Sequence, residues 1–498
     1  MLQQLPVIIV VAPLLTSFII FVISWWHKKP AYFLAMAVLS ICLAASISIL
    51  TSVIDHGPIN YWLGGWEPPW GIEYRIDHLN GMMLVLISLL GLLVAVHAEK
   101  GIARELPEKT ALFWSLFLLM LTGLLGICIT ADLFNLFVLL EVASLSGYAL
   151  ISMGEEKALY ASFRYIVIGT IGASFYLLGV GYLYIVTGSL NIEDLAQRLP
   201  DLYQSRTALA GFTFIVIGLS IKMALFPVHG WLPDAYTYAP SAVSAAVAPL
   251  MTKVMVYALI RVMFTVFKLD SAVSVLQVTD IMVWLGVLAI LFGGIMALSQ
   301  IDFKRMLSYV IIAEIGYIIG GIGVANSLAF KGAVFHILND AMMVACLFMV
   351  AGHVMYGTGG HRISDFKGIF RKMPITAAVF TVGALSVIGV PPTCGFFSKW
   401  YLLLGGIKAN HWGFVTALLV CTLINIALFF RIFDKGLFVH GHEQGQGSEG
   451  TQKLRHNGEA PLTMLIPACI LAVAIILVGV FNQAIVNRVI LFTVPKGF

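Results

Sequence analysis

Four ionisable residues sit inside stretches of this sequence that are otherwise apolar: Glu141 in LFNLFVLLEVASLSGYALI, Lys222 in IKMALFPVHGWLPDAYTYAPS, Lys253 in MTKVMVYALI and Lys399 in GVPPTCGFFSKWYLLLGG. An ionisable group near the centre of a bilayer costs roughly 2.5–3.5 kcal/mol even on a lenient insertion scale, so each needs a reason. Taken out of water, a carboxylate holds its proton more tightly and an ammonium more loosely, and an opposite charge nearby reverses both tendencies. One carboxylate and three amines so placed can load and unload protons. The competing use is structural, a Glu–Lys pair that pins two helices together, but three amines cannot all pair with one carboxylate.

The backbone is interrupted beside two of these amines. Lys222 lies five residues before Pro227, with Pro233 and Pro240 following, and Pro391 and Pro392 precede Lys399. Proline removes a helical hydrogen bond, and unwound backbone at membrane depth is tolerated only where it is buried in protein or lines a wet cavity. Two interrupted helices at corresponding places in two halves point to an inverted-repeat transporter with its site near the midplane. His336 and Asp340, four residues apart and so on one helix face, suit either a proton relay or a hydrogen-bonded packing pair. Glu314 reads equally as a carboxylate in a water path or as a residue near a helix boundary. His229, His353 and Cys394 read as packing residues.

The elements that must position these groups follow from composition. With 60% hydrophobic and 11% charged residues and a mean hydropathy of +0.96, the chain lies outside the range of soluble globular proteins. Apolar runs of about 18–25 residues recur along it, each long enough to span about 30 Å of hydrocarbon as a helix. The reading is an all-α polytopic membrane protein of about 14 transmembrane helices, near 5–25, 31–52, 79–97, 111–130, 132–152, 164–186, 208–226, 241–263, 277–298, 306–324, 328–355, 376–404, 413–433 and 461–483. Helices 4–8 and 9–13 form two inverted five-helix repeats, with the broken helices 7 and 12 fourth in each. The divisions are 1–110 (three helices and a Trp- and Pro-rich interfacial hairpin), 111–270, 271–440, and 441–498 (a loop and the last helix). Loops after odd-numbered helices hold 17 Lys and Arg against 9 on the opposite side, which predicts both termini outside. The six cysteines lack CxxC spacing and no glycine-rich nucleotide loop occurs, so no cofactor is expected.

The runs LFNLFVLLEVASLSGYALI, IKMALFPVHGWLPDAYTYAPSAVSAAVAPLMTKVMVYALIR, ALSQIDFKRMLSYVIIAEIGY and GVPPTCGFFSKWYLLLGG occur in that order. Together they resemble the proton-translocating antiporter-like subunits shared by respiratory complex I, membrane-bound hydrogenases and the Mrp-type multisubunit cation/proton antiporters, over roughly residues 75–435. Length and wording look most similar to the D subunit of the Mrp type. The resemblance implies that Glu141 pairs with Lys222 and modulates it, that Lys253 is the central relay and that Lys399 is the terminal proton carrier. Many relatives carry His and then Lys where this chain has Asp340 and Val344, so the route from Lys253 to Lys399 must run through His336, Asp340 and water or differ here. The expected function is a proton-translocating secondary transporter subunit, not itself an enzyme, in a Na+/proton antiporter of a bacterial or archaeal cell membrane, assembled with other membrane subunits. The alternative is the pumping arm of a redox-driven complex. The metal question stays open, with Asp132 and Asp340 as candidate oxygen ligands for Na+.

Overall fold

The computed structural model describes residues 4–27, 30–268, 278–437, 458–495 and 498. The expected division at 270/271, the loop at 441–457, and Lys28, Lys29, Lys453, Arg455 and Lys496 of the charge count lie outside the described residues.

The chain runs α1 (Leu5–Ile23), α2 (Pro30–His56), the strands β1 (Ile59–Trp62) and β2 (Glu73–Ile76), then α3 (His78–Glu105), α4 (Thr110–Ile129), α5 (Leu133–Ile151) and α6 (Glu156–Thr187). Next come α7 (Arg206–Lys222), α8 (Leu232–Tyr238), α9 (Ser241–Ile260), α10 (Val278–Leu298), α11 (Phe303–Gly323) and α12 (Ser327–Thr358). Then come α13 (Pro374–Ile388), α14 (Cys394–Lys408), α15 (Trp412–Leu437) and α16 (Leu462–Val480), and further short helices lie at Ile192–Arg198, Ile369–Lys372 and Asn482–Arg488. Among the described residues twelve helices are long and apolar enough to cross a membrane. The two interrupted segments, α7–α8 and α13–α14, stand where the sequence predicts broken helices 7 and 12. Where the sequence places the start of helix 6 at 164, α6 begins at Glu156, because its charged first turn is helical too.

Helices α9, α11 and α12 are buried along almost their whole length and form the core, while α1, α2 and α6 turn one side outward. Small residues let the backbones close up. A Cβ on Gly179 of α6 would lie 2.6 Å from the carbonyl oxygen of Gly211 on α7, and one on Gly286 of α10 would lie 2.7 Å from Gly320 Cα on α11.

Counting one crossing per continuous helix and one per interrupted pair puts the β1–β2 hairpin, antiparallel with Ile59 opposite Ile76, on the face where the chain begins. We call this the hairpin face and the other the far face. Two cap motifs confirm an inverted repeat. Asp132 caps α5 by accepting from Asn135 N (2.6 Å) and bridges to Asn191 on the hairpin face. Asp302 caps α11 by accepting from Arg305 N (3.0 Å) and bridges to Arg362 on the far face. The flanking bonds match as well: Leu133 N to Leu190 O and Ile192 N to Ala131 O in one, Phe303 N to His361 O and Ile363 N to Ile301 O in the other, all 2.8–2.9 Å. One charge assignment needs correction. Lys304, counted with the loop cations, is buried at the start of α11 and donates to Ala239 O at 2.5 Å, because the α8–α9 turn folds over it.

Candidate functional site

Lys222 is the last residue of α7. Pro227 lacks a donor and disfavours helix in the residue before it, so the chain unwinds from Met223, with Ala224 in left-handed backbone at φ 58°. Trp231 Nε1 donates to Ile221 O at 3.0 Å and satisfies one of the carbonyls the break leaves open. A cation at a helix C-terminus meets the negative end of the helix dipole. The ammonium of Lys222 donates to three acceptors on α5: Ser144 Oγ at 2.9 Å, Tyr148 Oη at 3.2 Å and Glu141 Oε1 at 3.3 Å. These acceptors share a helix face at i, i+3 and i+7. Lys222 is buried, whereas the Glu141 side chain is 25% exposed at the surface of the chain.

The second half repeats this arrangement. Helix α13 ends at Gly389, φ 93°, ahead of Pro391 and Pro392. Lys399 on α14 donates to Val387 O in the last turn of α13 at 2.5 Å. Its Nζ lies 3.7 Å from Glu314 Oε1 on α11 and 4.8 Å from the centre of the Tyr317 ring, a cation–π contact. The other oxygen of Glu314, Oε2, is 2.5 Å from His336 Nε2 on α12, and His336 Nδ1 is 2.9 Å from Ser398 Oγ on α14. Glu314 and His336 are both fully buried.

Between the halves stands Lys253, fully buried in α9 one turn beyond Pro249. Its Nζ lies 2.8 Å from Asp340 Oδ2, close enough for an ion pair yet not aligned for a hydrogen bond. Both groups therefore keep unused donors and acceptors, as do the neighbouring Thr252 Oγ1 and Asn339 Oδ1. Asp340 and His336 are one turn apart on α12, so the two clusters meet along that helix.

The structure thus groups the ionisable residues as Glu141–Lys222, Lys253–Asp340 and His336–Glu314–Lys399. Between the first two, among the described residues, no hydrogen bond or ion pair connects Lys222 to Lys253. There α5 and α9 pack through Gly147 and Met251. Such pairs can exchange protons when the distance within a pair changes, since each holds an acid and a base in contact.

The arrangement also resolves what the spacing left open. Glu314 is the hub of the second half rather than a boundary residue, and Asp340 answers Lys253 directly. Ser144, Tyr148, Tyr317 and Ser398 were not anticipated, although Ser144 and Tyr148 fall on the Glu141 face. As a candidate Na+ ligand Asp132 is instead committed to capping α5, and Asp340 to Lys253. Among the described residues no three His, Cys, Asp or Glu side chains converge as a metal site. A cavity of about 230 Å³ between Trp284 and Trp412 lies at the hairpin face, away from this row.

Residues 130–425 match the family described as NADH:quinone oxidoreductase/Mrp antiporter, TM. The chain is similar to NADH-quinone oxidoreductase subunit N of Desulforudis audaxviator, 42% identical over 99% of either chain. It is also similar to the Na(+)/H(+) antiporter D subunit of Alkalihalophilus pseudofirmus, 33% identical over 85% of this chain and 86% of that one. Its fold resembles a chain of the archaeal membrane-bound sulfane sulfur reductase complex, TM-score 0.89 and 28% identity across 98% of this chain and 97% of that chain. The same holds for a chain of the Mrp complex from Dietzia sp. DQ12-45-1b, TM-score 0.88 and 24% identity across 99% and 97%, a likeness of fold alone.

Proposed function

The chain belongs to the NADH:quinone oxidoreductase/Mrp antiporter transmembrane family, and we propose that it is a proton-translocating subunit of a multisubunit membrane complex, with the three ion-pair clusters as its relay. The observation that carries this reading is the repetition of one device in both halves: a lysine beside a broken helix, facing a carboxylate on the fifth or tenth crossing. In the proposed cycle, Glu141 holds the Lys222 ammonium while close and releases its proton when the pair parts. Lys253 and Asp340 receive the charge, and His336 and Glu314 hand it to Lys399. Protons would enter from the far face, proposed to be cytoplasmic on the charge count, and the buried atoms Thr252 Oγ1, Asn339 Oδ1 and Asp340 Oδ1, which lack hydrogen-bond partners in the protein, mark where water would complete the path.

For the driving reaction we propose redox partner subunits. The support is the likeness to a quinone-oxidoreductase subunit across the full chain at 42% identity. Cation antiport, expected from the sequence wording, keeps the support of the antiporter relative at 33% identity over 85% of the chain. The Mrp-type assignment itself does not follow, since the quinone-oxidoreductase relative matches more of the chain more closely.

Glu141→Gln, Lys222→Ala, Lys253→Ala and Lys399→Ala, each introduced into the assembled complex in inverted vesicles, are expected to abolish proton movement while the subunits still co-purify. Full proton movement in all four would defeat the relay. Mass spectrometry of the co-purified subunits separates the two drives: redox-cofactor proteins support the first, and small hydrophobic subunits with one larger homologue of this chain support the second.

A further inference from the structure

A second acid–base cluster lies outside the row just described, where α3, α12, α13 and α16 meet near the far face. His353 Nε2 is 3.1 Å from Met464 O, and His97 Nδ1 is 3.2 Å from the same oxygen. The two imidazoles stand 5.2 Å apart between centroids, and both are buried. On its other side His353 Nδ1 is 3.3 Å from Thr376 Oγ1, which is itself 2.9 Å from Glu459 Oε2. The remaining carboxylate oxygen, Glu459 Oε1, accepts from Ile375 N at 2.5 Å and Thr376 N at 3.3 Å, at the open N-terminus of α13.

Counting hydrogens decides what this arrangement holds. A carbonyl only accepts, so His353 Nε2 must carry a hydrogen to bond Met464 O. Thr376 has one hydroxyl hydrogen but two polar neighbours. If it donates to an ionised Glu459, its oxygen faces His353 Nδ1, which must then be protonated. If it donates to a neutral His353, Glu459 must be protonated and donate to it. Either way both contacts are satisfied only when the trio holds one proton more than neutral histidine and ionised glutamate would. Turning the imidazole over would set carbons against both partners, so the ring orientation is fixed by the same bonds. The backbone donors of Ile375 and Thr376 hold Glu459 Oε1 at the start of α13, so Glu459 also caps that helix.

We infer that His353, Thr376 and Glu459 form a proton-binding site near the far face, in which one proton is shared between imidazole and carboxylate through the threonine hydroxyl. The surrounding charged and titratable groups are His97 and Arg104 on α3, Cys469 on α16, Glu105, which accepts from Ser241 N at the start of α9, and Lys304 on α11. None of these stands within the hydrogen-bonded trio. Glu459 caps the half-helix that ends at the break beside Lys399. On the proton-translocating reading, moving the proton to Glu459 would loosen that cap and reach the relay mechanically. The site itself does not depend on that reading.

The test is pH-dependent infrared difference spectroscopy on the purified complex, comparing wild type with His353→Gln, Glu459→Gln, Thr376→Val and Thr376→Ser. The bands that vanish in the first two variants define the site. In wild type and Thr376→Ser the imidazolium and carboxyl bands are expected to change together at one midpoint, and in Thr376→Val to separate into two midpoints about one pH unit or more apart. Should Thr376→Val fail to assemble, the first two variants still decide: a shared proton means that each removes both bands. Bands that titrate independently in wild type, or that are lost one per variant, overturn the site. Intact proton movement in His353→Gln alongside a confirmed shared titration would sever only the link to the relay.

Discussion

Glu314, itself fully buried, answers two bases at once, His336 through one oxygen and Lys399 through the other. Glu314→Gln keeps the shape and removes the charge. Losing a charge-assisted bond of about 1.5–3 kcal/mol predicts proton movement slower by about ten- to a hundredfold, read as quenching of a pH-sensitive dye in inverted vesicles; an unchanged rate would remove Glu314 from the relay. The Lys253–Asp340 pair makes a different prediction, because breaking a buried pair strands a charge at a cost of about 3–5 kcal/mol, whereas replacing both partners by apolar groups is nearly neutral. Thermal unfolding in detergent should therefore fall sharply for Lys253→Ala and recover in Lys253→Met with Asp340→Leu, which still cannot carry protons. The three lysines and Glu141 were legible in the sequence because a charge in an apolar run is conspicuous. The pairing of Glu141 with Lys222 came only from the family resemblance, and the other partners were not legible, since the acceptors of Lys222 and Lys253 lie on another helix 74–87 residues away and contact at that separation is a property of packing. Glu314 stayed ambiguous because its meaning depended on where α11 begins.

At the scale of elements, prolines made the two interruptions readable, but the caps that start α5 and α11 were not read as a repeat, because the two Asp residues sit in runs with little other wording in common. Asp302 allows a pH test outside the membrane spans. Burial raises its carboxyl affinity for protons, yet the His361 bond and charge and the Arg305 backbone donor outweigh that and hold it below the ordinary carboxylate range. A depressed folded-state value means that the stabilisation is fully present above the ordinary carboxylate pKa of about 3.9 and is lost as pH falls through the folded value. Asp302→Asn, which keeps a cap of equal rank but loses the carboxylate charge, should thus unfold at lower temperature than wild type at neutral pH, by about 1 kcal/mol. The difference should close as the buffer is taken below about pH 4. A gap that widened on acidification would contradict this assignment.

At the scale of the whole molecule, the row of ion pairs begins at an edge. Glu141 is 25% exposed on a stripe of α5 shared with Phe134, Val138 and Leu145, which are 43–57% exposed. Facing lipid, a carboxylate there would cost roughly 2.5–3.5 kcal/mol, and the apolar residues around it rule out a water-facing wall. A protein neighbour would remove the contradiction by covering the stripe and offering Glu141 a donor, and the quinone-oxidoreductase and antiporter relatives are both named as subunits. Leu145→Cys reads this out without touching any ion pair. With the native cysteines buried apart from the half-buried Cys469, a membrane-permeant maleimide should label Leu145→Cys in the isolated chain and be excluded in the assembled complex. Ile185→Cys, 75% exposed in wild type near the end of α6, serves as the accessible reference in the isolated chain. Equal labelling of Leu145→Cys before and after partner removal would mean that Glu141 faces lipid in the working complex, and the first proton donor to Lys222 would have to be sought within this chain.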